Sequence, residues 1–139
     1  MRAARPLLVL SLLGEAALLL LEGGASVGAT TGGGASALLV ASDKGHLEIA
    51  RLLLEVGAAT DQAMNDGTTP LSAASLAGEI GCVRLLLEAG AAVNQATASG
   101  FTPLYIACQK GHLDVARLLQ QAGAAVNQAM NLSLIHISE

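Results

Sequence analysis

Aromatic residues are almost missing from this 139-residue chain: it has no Trp, one Phe and one Tyr, although 53% of its residues are hydrophobic. Its core must therefore be built from Ala, Leu and small branched side chains, which suits short helices packed closely together. Basic residues are few, seven Lys and Arg against eleven Asp and Glu, and they form no run. A surface that binds nucleic acid by releasing counterions is not encoded here. Two cysteines, Cys82 and Cys108, are too few for a disulfide framework. No apolar stretch is long and uninterrupted enough, at the ~20 residues required, to span a membrane as a helix.

What is present is a repeated part. In Thr102–Asn127, TPLYIACQKGHLDVARLLQQAGAAVN, Thr102 is suited to cap a helix and Pro103 to occupy its first position, where a missing N–H costs nothing. A short helix from Leu104 to about Gln109 stops before Gly111. A second comes after it, with Leu113, Ala116 and Leu119 at helical spacing on one side. Gly123 ends it in the left-handed conformation that helix C-termini favour. Thirty-three residues earlier stand Thr69-Pro70-Leu71, Gly78, Leu85-Leu86-Leu87 and Gly90. One further step back stand Ser36, Gly45-His46-Leu47-Glu48, Leu52-Leu53-Leu54 and Gly57. A constant period of this size signals stacked supersecondary units.

These residues resemble the ankyrin repeat family, whose unit is a 33-residue helix–turn–helix completed by a turn. The resemblance covers most of 5–131 and is strongest over 36–128. It implies an all-α ankyrin-repeat solenoid of about four helix–turn–helix units, with repeats at 36–68, 69–101 and 102–131.

Residues 1–35 admit two readings. Arg2 and Arg5, the apolar Leu7–Leu13 and small residues near Ala25–Ala29 fit a secretory signal peptide. The favoured reading is a degenerate first repeat. Arg5-Pro6-Leu7, Ser11-Leu12 and Gly14-Glu15 match Thr69-Pro70-Leu71, Ser75-Leu76 and Gly78-Glu79. Leu19–Val27 then matches Leu85–Val93 after a loss of two residues. That loss rotates the rest of the unit by about 200° on a helix of 3.6 residues per turn, so this repeat packs differently. Its first helix is also more apolar than a terminal repeat should be. At the other end, 132–139 (LSLIHISE) departs from the pattern, with Ser133, Ile135 and His136 where Gly and Thr-Pro are needed. This octapeptide resembles translated cloning-adapter sequence rather than native chain.

Within the repeats, Ser36 keeps the capping hydroxyl but Ala37 replaces the proline. Asn65-Asp66-Gly67 is a turn signal. Glu48 and Arg51 are spaced to pair on the second helix, as are Asp114 and Arg117. Gly81 weakens the second helix of repeat three by about 0.5–1 kcal/mol. Gly32-Gly33-Gly34 reads as a loose connector, since no Lys-Ser/Thr comes after it and no strand precedes it as a phosphate-binding loop requires.

No catalytic constellation emerges, and neither a cofactor nor a metal is implied. His46 and His112 occupy the same repeat position two units apart, too far at about 10 Å per layer to share a metal; the family resemblance makes this His structural. Cys82 stands in the slot of Ile49 and Val115 as a small core residue, and Cys108 is at most a mildly reactive thiol.

The family resemblance instead implies protein–protein binding by turn tips and first helices along a concave surface. That names Asp43, Lys44, Asn65, Asp66, Thr68, Leu76, Ser99, Phe101, Tyr105, Gln109 and Lys110, with Ala77 and Ala98 beside them. Aromatic anchors carry much interface energy, which singles out Phe101 and Tyr105. Tyr105 also has a second reading as a packing residue between helices. Tyr105, Leu8, Leu39 and Ser72 stand where the family has a His, so inter-repeat hydrogen bonds made by that His are not expected. The expected function is a non-catalytic scaffold or adaptor, a monomer in the cytoplasm, with an unidentified protein partner and no nucleic acid. The alternatives are a regulatory fragment of a larger enzyme, ligase or channel, and a secreted effector if 1–29 is cleaved.

Overall fold

The computed structural model describes residues 30–124, and the readings of 1–29 and 125–139 fall outside them. Six helices run in order: α1 (Ala37–Lys44), α2 (Leu47–Glu55), α3 (Pro70–Ala77), α4 (Ile80–Glu88), α5 (Pro103–Lys110) and α6 (Leu113–Gln121). They form three antiparallel pairs. First helices α1, α3 and α5 pack side by side in one layer, and second helices α2, α4 and α6 in the other.

Each first helix begins where the sequence provides a hydroxyl. Ser36 Oγ accepts from the Leu39 amide at 3.2 Å, Thr69 Oγ1 from Ser72 at 3.1 Å and Thr102 Oγ1 from Tyr105 at 3.2 Å. Such a cap is worth about 1 kcal/mol. The three caps are themselves buried. Each first helix ends at a glycine, Gly45, Gly78 or Gly111, with positive φ, whose N–H returns to the last turn.

The core is one aliphatic band between the layers. Leu38, Leu71 and Leu104 contribute from the first helices, and Leu53, Leu86 and Leu119 from the second. Cys82 is buried beside them like Ile49 and Val115, as its repeat position predicts. On α6 the buried face is Val115, Ala116 and Leu119, whereas Leu113 is 65% exposed. Leu113 therefore does not share the core face with Ala116 and Leu119. Its counterparts Leu47 and Ile80 are half-buried because that position points along the stack rather than into the unit. Leu47 shows the use: a Cβ at Gly81 would lie 3.7 Å from its Cδ2. Leu47 packs over the glycine that weakens α4, at a spacing where an Ala methyl would make ordinary van der Waals contact.

A tight turn precedes each pair, and the three turns project at the same period. In the first, Gly34 N donates to Thr31 O at 2.9 Å and Thr31 N to Ala35 O at 3.0 Å. In the second, Gly67 N donates to Met64 O at 2.9 Å and Met64 N to Thr68 O at 2.8 Å; in the third, Gly100 N donates to Thr97 O at 2.8 Å and Thr97 N to Phe101 O at 3.0 Å. The triple glycine at 32–34 is thus a regular turn rather than a loose connector.

Candidate interaction surface

The turns are linked to one another by main chain. Asn65 N donates to Gly33 O at 3.0 Å, and Ala98 N donates to Asp66 O at 2.9 Å. The two bonds are one 33-residue period apart, linking each described turn to the next. Gly67 shows why the linkage demands glycine. Its φ is +86°, and a Cβ there would lie 2.6 Å from Ala98 N. The row of tips is a continuous ladder, so Asn65, Asp66, Ala98 and Ser99, all exposed, are held in fixed relation.

Within the second turn, Thr68 N donates to Asp66 Oδ1 at 2.9 Å. The Asp66 carboxyl is held below its ordinary value, first by the Thr68 hydroxyl and then by this amide. It stands at the tip as a charged, oriented acceptor. In the third turn the Phe101 amide donates to Thr97 Oγ1 at 3.2 Å, which directs the ring toward α5. There it stacks on Tyr105, with ring centroids 5.0 Å apart and planes 19° from parallel. Tyr105 packs against the core without being closed off from solvent. The ring is half-buried against the core and also forms one wall of an aromatic pair open to solvent.

The remaining residues named from the sequence gather elsewhere. Asp43, Lys44, Leu76, Gln109 and Lys110 are all exposed and sit in the last turns of the first helices, with Leu76 at 45%. A helix of eight residues is about 12 Å long, so this row and the turn tips form two edges of one face. Tyr105 lies between them near the start of α5. The face runs from the turn tips, over the first helices, to the glycines that end them.

Two features escape a reading of the sequence. The first is how the units are joined without the family's histidine in the first helix. In repeat three, Ser72 takes the place of that ring, and its hydroxyl accepts from Thr69 Oγ1 at 3.1 Å. The joints are made by the turn ladder, by Asp61 Oδ1 accepting from the Ala92 amide at 2.9 Å, and by His112, whose Nε2 lies 3.0 Å from Leu76 O. The His beside the inter-helix glycine therefore has a structural task, as expected. A Cβ at Gly78 would strike its ring, at 2.7 Å from Cε1. The second is Glu79, which occupies the same repeat position as His112 and brings its carboxylate against Gly45. Aligning 46, 79 and 112 is the signal that finds both.

Other expectations fare differently. Arg51 pairs with Glu48 at 2.8 Å, but with both side chains exposed the pair is worth about 0–1 kcal/mol. Asp114 and Arg117 do not close, although their spacing permits it. Burial pushes the Cys108 thiol up, away from a reactive thiolate. Burial, and then the Glu79 charge, does the same for Cys82. Among the described residues no group of three His, Cys, Asp or Glu side chains could hold a metal ion. Among them, too, no helix is long and apolar enough to cross a membrane.

Paired short helices stacked in two layers, with turns linked edge to edge, define a helical repeat solenoid. The chain belongs to the ankyrin repeat family: the family described as ankyrin repeats (3 copies) matches residues 7–97 and 59–130. Its repeats are in general protein–protein interaction units and typically non-catalytic. A search of curated proteins matched none.

Proposed function

We propose that this chain is a non-catalytic interaction module that binds a partner protein across the face formed by its turn tips and first helices, anchored at Phe101 and Tyr105. The observation that carries the reading is the stacked pair itself. The chain has one Phe and one Tyr, and they meet face to face at 5.0 Å, half-exposed, beside a polar rim of Ser99, Gln109 and Lys110. A rigid aromatic surface presents a large apolar area at little entropic cost, with a polar rim to exclude water around it. The family match that begins at residue 7 supports reading 1–35 as a degenerate first unit rather than a cleaved leader.

The test is site-directed photocrosslinking in cells, with the crosslinker at 101 or 105 against controls at Arg84 and Arg117 on the second helices. A discrete partner adduct from the first pair alone is expected. The double substitution Phe101→Ala with Tyr105→Ala should weaken binding of that partner at least tenfold, while Arg84→Ala with Arg117→Ala changes it less than twofold. Equal losses from the two pairs would remove the assignment of this face.

A further inference from the structure

The two described joints between units are built to the same plan and diverge most at the end away from the turns. Taking each turn with the helix pair that follows it, both are held at the turn end by main chain, Asn65 N to Gly33 O in one and Ala98 N to Asp66 O in the other. The joint between repeats two and three has two further links there, Asn65 Nδ2 to Gly32 O at 3.4 Å and the Ala92 amide to Asp61 Oδ1 at 2.9 Å. At the opposite end, where each first helix turns into its second, they diverge. There His112 of repeat four reaches back to Leu76 O, the carbonyl in the last turn of α3, at 3.0 Å. Glu79 of repeat three reaches the equivalent place, against Gly45 at the end of α1. Among the described residues its carboxylate has no hydrogen-bond or ion-pair partner there.

The chemistry of the seat explains why. It is lined by a helix C-terminus, whose free carbonyls carry partial negative charge. An imidazole N–H can donate to such a carbonyl; a carboxylate can only accept, and its charge has the sign of the helix end. Glu79 thus fills the space of the histidine and contributes no link. Lys44, in the last turn of α1, does not compensate by pairing with it.

We propose that the joint between repeats two and three is a built-in hinge: bonded at the turn end, unlinked at the Gly45 end, it opens there before the joint between repeats three and four. The motion separates the last turn of α1 from that of α3. Asp43 and Lys44 therefore swing relative to Leu76 and Ala77, while the turn ladder stays closed. In a stack whose stability is a sum of unit and nearest-neighbour terms, one missing contact is felt at its own joint and not uniformly.

Amide hydrogen exchange of the full chain tests this, read helix by helix. Glu79→His supplies the donor and should slow exchange in α1 and α2 about fivefold, the factor that one hydrogen bond of ordinary net strength gives, with α5 and α6 unchanged. Glu79→Gln removes the charge and offers an amide donor, so it should move the same helices in the same direction. His112→Glu should transfer the defect, speeding exchange in α5 and α6 and sparing α1 and α2. The proposal is overturned if neither Glu79 variant slows α1 and α2, or if every helix slows equally, which would be a global gain with no hinge.

Discussion

Repeats three and four share one backbone but hide different amounts of it. In α3 every residue from Pro70 to Ser75 is buried; in α5 only Pro103, Leu104 and Ala107 are. The reason is position. α3 lies between α1 and α5, and the side chains that meet these neighbours, Ser72, Ala73 and Ser75, are small. Where repeat three has those, repeat four has Tyr105, Ile106 and Cys108, which are larger and half-exposed. Each position therefore serves two ends, since its backbone role is fixed by the period and its side-chain size by how many units flank it. The aromatic pair can exist in repeat four because α5 is less enclosed among the described residues.

The comparison is broken hardest at the turns. Gly67 and Gly100 have nearly the same φ, +86° and +89°, but among the described residues only Gly67 of the two has a neighbouring turn against it. Gly67→Ala should cost about 3 kcal/mol, combining left-handed strain of about 1–2 kcal/mol with loss of the Ala98 N–H bond, about 1 kcal/mol. Gly100→Ala should cost only the strain. Urea unfolding of the two variants measures the difference, and equal costs would mean that the turn ladder adds nothing.

The caps sharpen it next. Thr102→Ala removes one capping bond, about 1 kcal/mol. Thr69→Ala removes the cap and also strands the buried Ser72 hydroxyl, which accepts from Thr69 at 3.1 Å. It should cost about 2 kcal/mol, because an unpartnered buried polar group adds its own penalty. Thermal unfolding of both variants separates these cases.

The smallest effect runs the other way. Ser75 Oγ is fully buried with no hydrogen-bond partner, whereas Ser42 Oγ, one period earlier, donates to Leu38 O at 2.7 Å. Ser75→Ala should stabilise by up to about 1 kcal/mol, since a solitary buried hydroxyl only costs, while Ser42→Ala should be neutral or mildly destabilising. A loss of stability in Ser75→Ala would show that the hydroxyl serves a purpose that its surroundings do not display.

Much of this is legible in one dimension because the period aligns equivalent positions. The hydroxyls at 36, 69 and 102, the glycines at 45, 78 and 111, and the Ile49/Cys82/Val115 slot can all be read as roles without knowledge of the packing. Leu113 misleads because helical spacing places it near Ala116 and Leu119 on a wheel, and a wheel cannot distinguish facing the partner helix from facing along the stack. Gly81 reads as a weakness, and its surroundings do not require it, since an Ala methyl would meet Leu47 at ordinary contact distance. The candidate face is legible as a set of residues but not as two edges with an aromatic pair between them, since the Phe101–Tyr105 stack depends on how one turn bends onto one helix.

The sequence by itself determined the unit: its length, its caps, its chain reversals and the aliphatic band between its helices. These arise from local preferences and a repeated pattern, which act within a few residues of chain. Only the tertiary structure decided how units are joined. A carboxylate and an imidazole at one repeat position look like ordinary surface variation until the next unit brings a helix C-terminus against them. There one can donate a hydrogen bond and the other cannot.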